Sequence, residues 1–181
     1  MPKIITIPSA ELWDSKNEKF VYTKEQTIVL EHSLVSLSKW ESKWHKPFLG
    51  KEKKSAEETL DYIRCMTLTQ NVDPGVYRYL TNKNIEEIND YIDDVMTATW
   101  FGDDKNAKPS NKTITSELLY YWMISLNIPF ECQKWHLNRL ITLIKVCNEE
   151  NKPKKKISKK EAYSRNSALN AARRAKLNSK G

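Results

Sequence analysis

The side chains with the clearest chemical potential are Cys132 and His136. They stand four residues apart in a stretch whose spacing predicts helix, which puts both on one side of it. Thiolate and neutral imidazole are proper zinc donors. Cys147 follows fifteen residues after Cys132, and Cys65 lies elsewhere. There is no Cys-x-x-Cys pair, however, and Cys147 continues an apolar stripe through Leu137, Leu140, Ile141 and Ile144. A core thiol is therefore the expectation. Three cysteines without a framework spacing also predict reduced thiols. A second candidate is the acidic group Glu86, Glu87, Asp90, Asp93 and Asp94, since paired carboxylates hold Mg²⁺ in phosphoryl hydrolysis. These alternate with Ile85, Ile88 and Ile92, which is the pattern of a solvated helix face. The four glycines form neither G-x-x-x-x-G-K nor G-x-G-x-x-G, and no Ser, Cys or His sits in a nucleophile signature. The expectation is a non-enzymatic protein with no metal and no cofactor.

What remains is binding chemistry, and it is unevenly spread. The net charge is +7, yet residues 151–181 carry eleven Lys or Arg against one Glu, while residues 1–150 carry 19 basic and 22 acidic side chains. The body is mildly acidic and the tail strongly basic, so the pI of 9.2 does not describe a basic face on the fold. Lys154, Lys155, Lys156, Lys159, Lys160, Arg165, Arg173 and Arg174 are the candidate contact residues of the tail. Two functional readings stand side by side: phosphate contacts to nucleic acid, with steep salt dependence, or a grip on an acidic or helical protein. A solvated extension that merely aids solubility is the plainest alternative. Aromatic interleaving there is limited to Tyr163. In the body, six tryptophans need placing. Trp40, Trp44 and Trp122 fit apolar faces. Trp135, with Lys134 beside it, sits off the main stripe of its helix, which leaves it either a surface anchor for a partner or packed beneath the N-terminal strands.

The elements that must position these groups follow from period and punctuation. Thr113–Glu149 reads as the organising stretch, two antiparallel helices joined at Asn127-Ile128-Pro129. The first opens at Thr113, Thr115 or Ser116 and buries Leu118, Leu119, Trp122, Met123 and Leu126. Upstream, Lys3–Ile7, Glu11–Asp14, Lys19–Tyr22 and Gln26–Glu31 are short runs rich in Val, Ile, Thr and aromatics, and predict a small antiparallel sheet of three or four strands resting on helices. Leu34, Leu37, Trp40, Glu41 and Trp44 predict a helix ending before Pro47. Ser55-Ala56-Glu57-Glu58 is a capping box opening the next. Asp73-Pro74 predicts a further helix carrying Val76, Tyr77 and Leu80. Thr81 or Asn82 caps another with Ile85, Ile88, Asn89 and Ile92 on one face. Residues 102–113 predict an exposed loop. Beyond a Lys/Pro linker, Glu161–Leu177 predicts a polar helix or a segment that becomes helical on a partner. The expected fold is mainly α within the α+β class. A small N-terminal antiparallel sheet (3–31) packs on a helical body (33–150), one globular domain over 1–150, followed by a basic tail over 151–181. No apolar run approaches the ~20 residues that span a bilayer. The first residues also lack the basic-then-apolar order of a secretory signal, which places the chain in a cytoplasm.

Several runs are similar to a known family. They are Leu30-Glu31-His32-Ser33-Leu34, Ser38-Lys39-Trp40-Glu41-Ser42-Lys43-Trp44, Asp61-Tyr62-Ile63-Arg64-Cys65-Met66, Met96-Thr97-Ala98-Thr99, and the stretch Ile128-Pro129-Phe130-Glu131-Cys132-Gln133-Lys134-Trp135-His136-Leu137-Asn138-Arg139-Leu140. These resemble small proteins from the tail-morphogenesis region of tailed double-stranded DNA bacteriophages, often described as tail assembly chaperones. The similarity runs from about Ile28 to the C-terminus. It implies an assembly factor in the host cytoplasm whose partner is the long helical tape-measure protein, with the tail-tube protein a further partner. It supplies no catalytic residues. Self-association, nucleic-acid binding through the tail, and a place as a minor structural component of the virion are the alternatives it leaves open.

Overall fold

The computed structural model describes residues 2–14, 18–101, 113–152 and 158–178. They fall into two compact units, Met1–Asn148 and Glu149–Gly181. Six α-helices and four short strands make the chain α+β and mainly helical among the described residues. No helix among them is long and apolar enough to cross a membrane.

The strands are β1 (Lys3–Ile7), β2 (Ala10–Asp14), β3 (Lys19–Thr23) and β4 (Gln26–Leu30). They do not form the expected three- or four-stranded sheet. Among the described residues β1 pairs only with β4 and β2 only with β3, both antiparallel. The pairing frame is continuous: Ile7 faces Gln26, and three residues further along each strand Ala10 faces Thr23. The four runs are thus the two halves of one ribbon, interrupted where Pro8 has no N–H to give the ladder. Other elements occupy the outer edges of the inner half. Beside β4, Glu31 N–H donates to the Met66 carbonyl and Leu68 N–H to the Val29 carbonyl, both at 2.8 Å. Beside β1, the Asn84 amide donates to the Thr6 carbonyl at 3.1 Å. Among the described residues these contacts occupy part of both edges, which leaves little room for a further strand.

Alternation then decides which face is buried. Ile5, Ile7, Ile28 and Leu30 are almost fully buried, while Ile4, Thr6 and Thr27 are exposed. The buried four pack with Trp40, Tyr62, Ile63, Met66, Val76, Tyr77 and Ile88 in one apolar cluster. Trp40 belongs to α1 (Leu34–Trp44), Tyr62, Ile63 and Met66 to α2 (Ala56–Met66), and Ile88 to α3 (Asn82–Asp93). A second cluster joins Leu34 and Leu37 of α1 to Leu119 and Met123 of α4 (Ser116–Ser125) and to Leu137, Leu140 and Ile144 of α5 (Leu137–Glu150). Helix α1 contributes to both clusters. The organising element is therefore α1, not the 113–149 stretch. Nor is the α4–α5 connection a bare proline turn. After Pro129 the chain makes a 3₁₀ turn over Phe130–Lys134, and α5 starts only at Leu137.

Local signals hold at the helix starts. Ser33, Ser55 and Thr81 form capping boxes, and Thr115 caps α4. At Ser55 the hydroxyl accepts from Glu58 N–H at 3.1 Å, and the Glu58 carboxylate accepts from Ser55 N–H at 2.7 Å. Ser55→Ala is expected to cost ~1 kcal/mol in urea unfolding; no loss would show that the tertiary contacts of α2 hold its first turn unaided. The Asp73-Pro74 start does not lead to an α-helix. It gives one 3₁₀ turn, Val76–Tyr79, because Leu80 is already extended and Thr81 caps the next helix, leaving no length for α turns. The predicted loop at 102–113 lies outside the described residues, save Thr113.

In the second unit, α6 (Lys159–Leu177) is a single helix of 19 residues. Its described side chains are exposed, except half-buried Ala162.

Candidate partner-binding site

Trp135 leaves the 3₁₀ turn in an extended conformation, its N–H donating to the Cys132 carbonyl at 3.0 Å. Two residues later Leu137 N–H donates to the His32 carbonyl at 2.9 Å, tying this segment to the end of β4. Trp135 is half-buried and packs with the second cluster, not with the cluster beneath the ribbon. The Arg139 guanidinium lies over its ring, 4.2 Å from the centroid. A cleft of about 350 Å³ opens beside this pair, lined also by Lys134, His136, Glu31, Tyr91 and Met96. Its mixed lining includes the aromatic rings of Trp135 and Tyr91, the cations Lys134 and Arg139, and the Glu31 carboxylate. That chemistry suits an aromatic or acidic side chain presented by another protein.

Of the residues lining the cleft, His136 and Tyr91 belong to a buried polar cluster. His136 Nε2 donates to the Tyr91 carbonyl at 2.8 Å, while its Nδ1 is buried with no hydrogen-bond partner among the described residues. The His32 ring lies 5.0 Å away, edge to face. The Tyr62 hydroxyl lies 2.6 Å from His32 Nδ1. Burial raises the Tyr62 pKa, so the phenol keeps its proton and donates. Burial, with His136 adding to it, lowers the His32 pKa to about 3. Burial lowers His136 too, against the opposing pull of the Tyr91 carbonyl and Asp94. Both imidazoles are neutral at physiological pH.

The chemistry considered for metal and catalysis is dispersed. Cys132 sits in the 3₁₀ turn and His136 just before α5, so no single helix presents both. Burial, then Glu131, raises the Cys132 thiol; burial, then Asp61, raises Cys65. Both are thereby poor thiolates. Among the described residues no three His, Cys, Asp or Glu come together as a metal-holding group. Glu86, Asp90, Asp93 and Asp94 are exposed, and Glu87 reaches Lys3 at 3.9 Å.

A further surface was hidden in the apolar spacing of α4. That helix, Ser-Glu-Leu-Leu-Tyr-Tyr-Trp-Met-Ile-Ser, carries one charged residue, Glu117. Leu119 and Met123 are buried, but Tyr121 is 63 % and Ile124 60 % exposed, and Phe130 beyond the helix is 54 % exposed. A surface helix normally turns charge outward; this one turns out a tyrosine and an isoleucine three residues apart. The spacing of Leu118, Leu119, Trp122 and Met123 marks the inner face only. The signal for the outer one was the near absence of charge around the rest of the helix. Glu41 of α1 holds α4 in place: its buried carboxylate accepts from Ser116 N–H and from Phe48 N–H, each at 2.7 Å. The Tyr120 hydroxyl donates to Gln133 at 3.0 Å, which links α4 to the 3₁₀ turn below Trp135.

Of the sequence-predicted contact residues, Lys134 and Trp135 share the cleft in the first unit. Lys159, Lys160, Arg165, Arg173 and Arg174 lie exposed on α6 in the second. Lys154, Lys155 and Lys156 lie outside the described residues. No protein-family model, curated protein or solved structure matches this chain.

Proposed function

We propose that this chain is a non-enzymatic tail assembly chaperone of a tailed bacteriophage, working in the host cytoplasm and holding the tape-measure protein until the tail tube forms around it. The observation that carries a helical partner is the outward apolar face of α4. An amphipathic helix binds by laying its own apolar residues, spaced three and four apart, on such a surface. Tyr121, Ile124 and Phe130 supply that surface, and the Trp135 cleft takes an anchoring side chain from the same partner. The phage assignment rests on the resemblance of the runs between Leu30 and Leu140.

The test is co-expression with the tape-measure protein and affinity capture. Tyr121→Ser with Ile124→Ser is expected to weaken capture about thirtyfold, the equivalent of ~2 kcal/mol. Thermal stability should barely change, because both side chains face solvent. Undiminished capture by the folded double variant would remove α4 from the interface. Mass spectrometry of purified particles is expected to find the protein absent; a stoichiometric presence would make it a structural component instead.

A further inference from the structure

Helix α6 is not used by that proposal, and its chemistry differs from that of α4. Six Lys or Arg stand against one Glu over its 19 residues. It has no apolar stripe to fill a protein groove: Leu169 and Leu177 are eight apart, and Arg173 occupies the place between them. Tyr163, Asn166, Asn170 and Arg174 follow one another at steps of three and four, so they line one side of the helix, with Lys159 one turn before them. Every one of these side chains is exposed. Ser164, Ala168, Ala172 and Ala175 fall on the far side.

We infer that α6 binds double-stranded DNA, lying in the major groove with its Asn166–Asn170–Arg174 side toward the bases and its lysines at the phosphates. The B-form major groove admits an α-helix, and amide and guanidinium groups are the side chains that pair with adenine and guanine edges there. A helix of this composition meets one phosphate charge per ~1.7 Å of duplex, which is the charge complement a cationic rod requires. Double-stranded RNA is a poorer match, since its major groove is too deep and narrow for side chains to read. Single strands are bound through stacked aromatics, and α6 offers only Tyr163.

The experiment is fluorescence anisotropy of the full chain on a labelled 30-base-pair mixed-sequence DNA duplex, titrated from 50 to 300 mM salt. Binding is expected at 50 mM salt, with log K falling against log salt at a slope of about −4. Lys160→Ala with Lys176→Ala should weaken binding at least about tenfold and flatten the slope by about 2. Ala168→Pro keeps every charge and breaks the helix on its far side; it too should lose about tenfold. Three results would overturn the inference. They are no binding at 50 mM salt, equal or tighter binding to single- or double-stranded RNA of the same length, and undiminished binding by Ala168→Pro, which would mean that charge alone suffices. The α4 variant Tyr121→Ser with Ile124→Ser should bind DNA as the parent chain does, so the two proposals fail separately.

Discussion

Glu41→Ala is expected to lower the free energy of unfolding by ~3 kcal/mol. The Glu41 carboxylate is buried in the middle of α1, and its two oxygens accept from Phe48 N–H and Ser116 N–H, both at 2.7 Å. Removing it relieves the cost of burying a charge but leaves two backbone donors without acceptors. Each orphaned donor costs ~1–3 kcal/mol. Glu41→Gln keeps one oxygen acceptor, so it should cost about half as much. Urea unfolding of the two variants measures this directly. The placement of α4 also depends on Ser116, so Glu41→Ala should reduce partner capture even where most of the protein is folded. Equal costs for Ala and Gln would mean that the carboxylate geometry is not what holds the start of α4.

The second large effect is a loss of stability in mild acid. His32 takes up a proton readily once unfolded, near pH 6.5, but in the fold only near pH 3. A base whose folded pKa is depressed contributes stability that is intact above the unfolded value and lost as pH falls below it. The free energy of unfolding should therefore drop at up to ~1.4 kcal/mol per pH unit between about pH 6.5 and 3, with His136 adding to the slope. The groups facing the pair are the Tyr62 hydroxyl, the Tyr91 carbonyl and Asp94. Two carboxylates reinforce the trend at lower pH. Lys46 and Ser55 hold Glu58 below its ordinary range, and at Asp61 burial pushes upward but Lys43, Trp44 and Arg64 outweigh it. Their contribution is lost only as pH falls below about 4.5. The window from 6.5 to 4.5 accordingly belongs to the imidazoles. His32→Asn keeps an acceptor for Tyr62 and cannot charge, so it should roughly halve the slope there. An NMR titration should find the His32 ring neutral down to about pH 4. A flat stability profile from pH 7.5 to 5 would contradict the buried-imidazole account.

What the residues revealed in advance was local. Ser55 and Glu58, Thr81 and Thr115 marked helix starts because a cap is made within four residues. The strands were legible from Ile4-Ile5-Thr6-Ile7 and Gln26–Leu30 for the same reason. Their mates were not. Whether β4 gains a third strand depends on what occupies its far edge, and residues 66–69 do so from the other end of α2. Likewise the central place of α1 depends on its two sides meeting different clusters, Trp40 in one and Leu34 and Leu37 in the other. No single-helix pattern reports that. At the site, Trp135 stood out because it left its stripe. His32 and His136 meet only through the fold, and Glu41 was visible only as a charge inside an apolar stripe. The exposure of Tyr121 and Ile124 is not legible there, because the apolar spacing of α4 marks its inner face and reports nothing of the outer one.

The central claim is that the outward face of α4 is covered by a helical partner. Hydroxyl-radical footprinting of the chain, alone and co-purified with the tape-measure protein, reads that face side chain by side chain. Tyr121, Ile124 and Phe130 should react freely in the isolated protein and lose most of their reactivity in the complex, with a smaller loss at Trp135. Unchanged reactivity at Tyr121 and Ile124 in a stable complex, with protection confined to the ribbon or to α6, would contradict it.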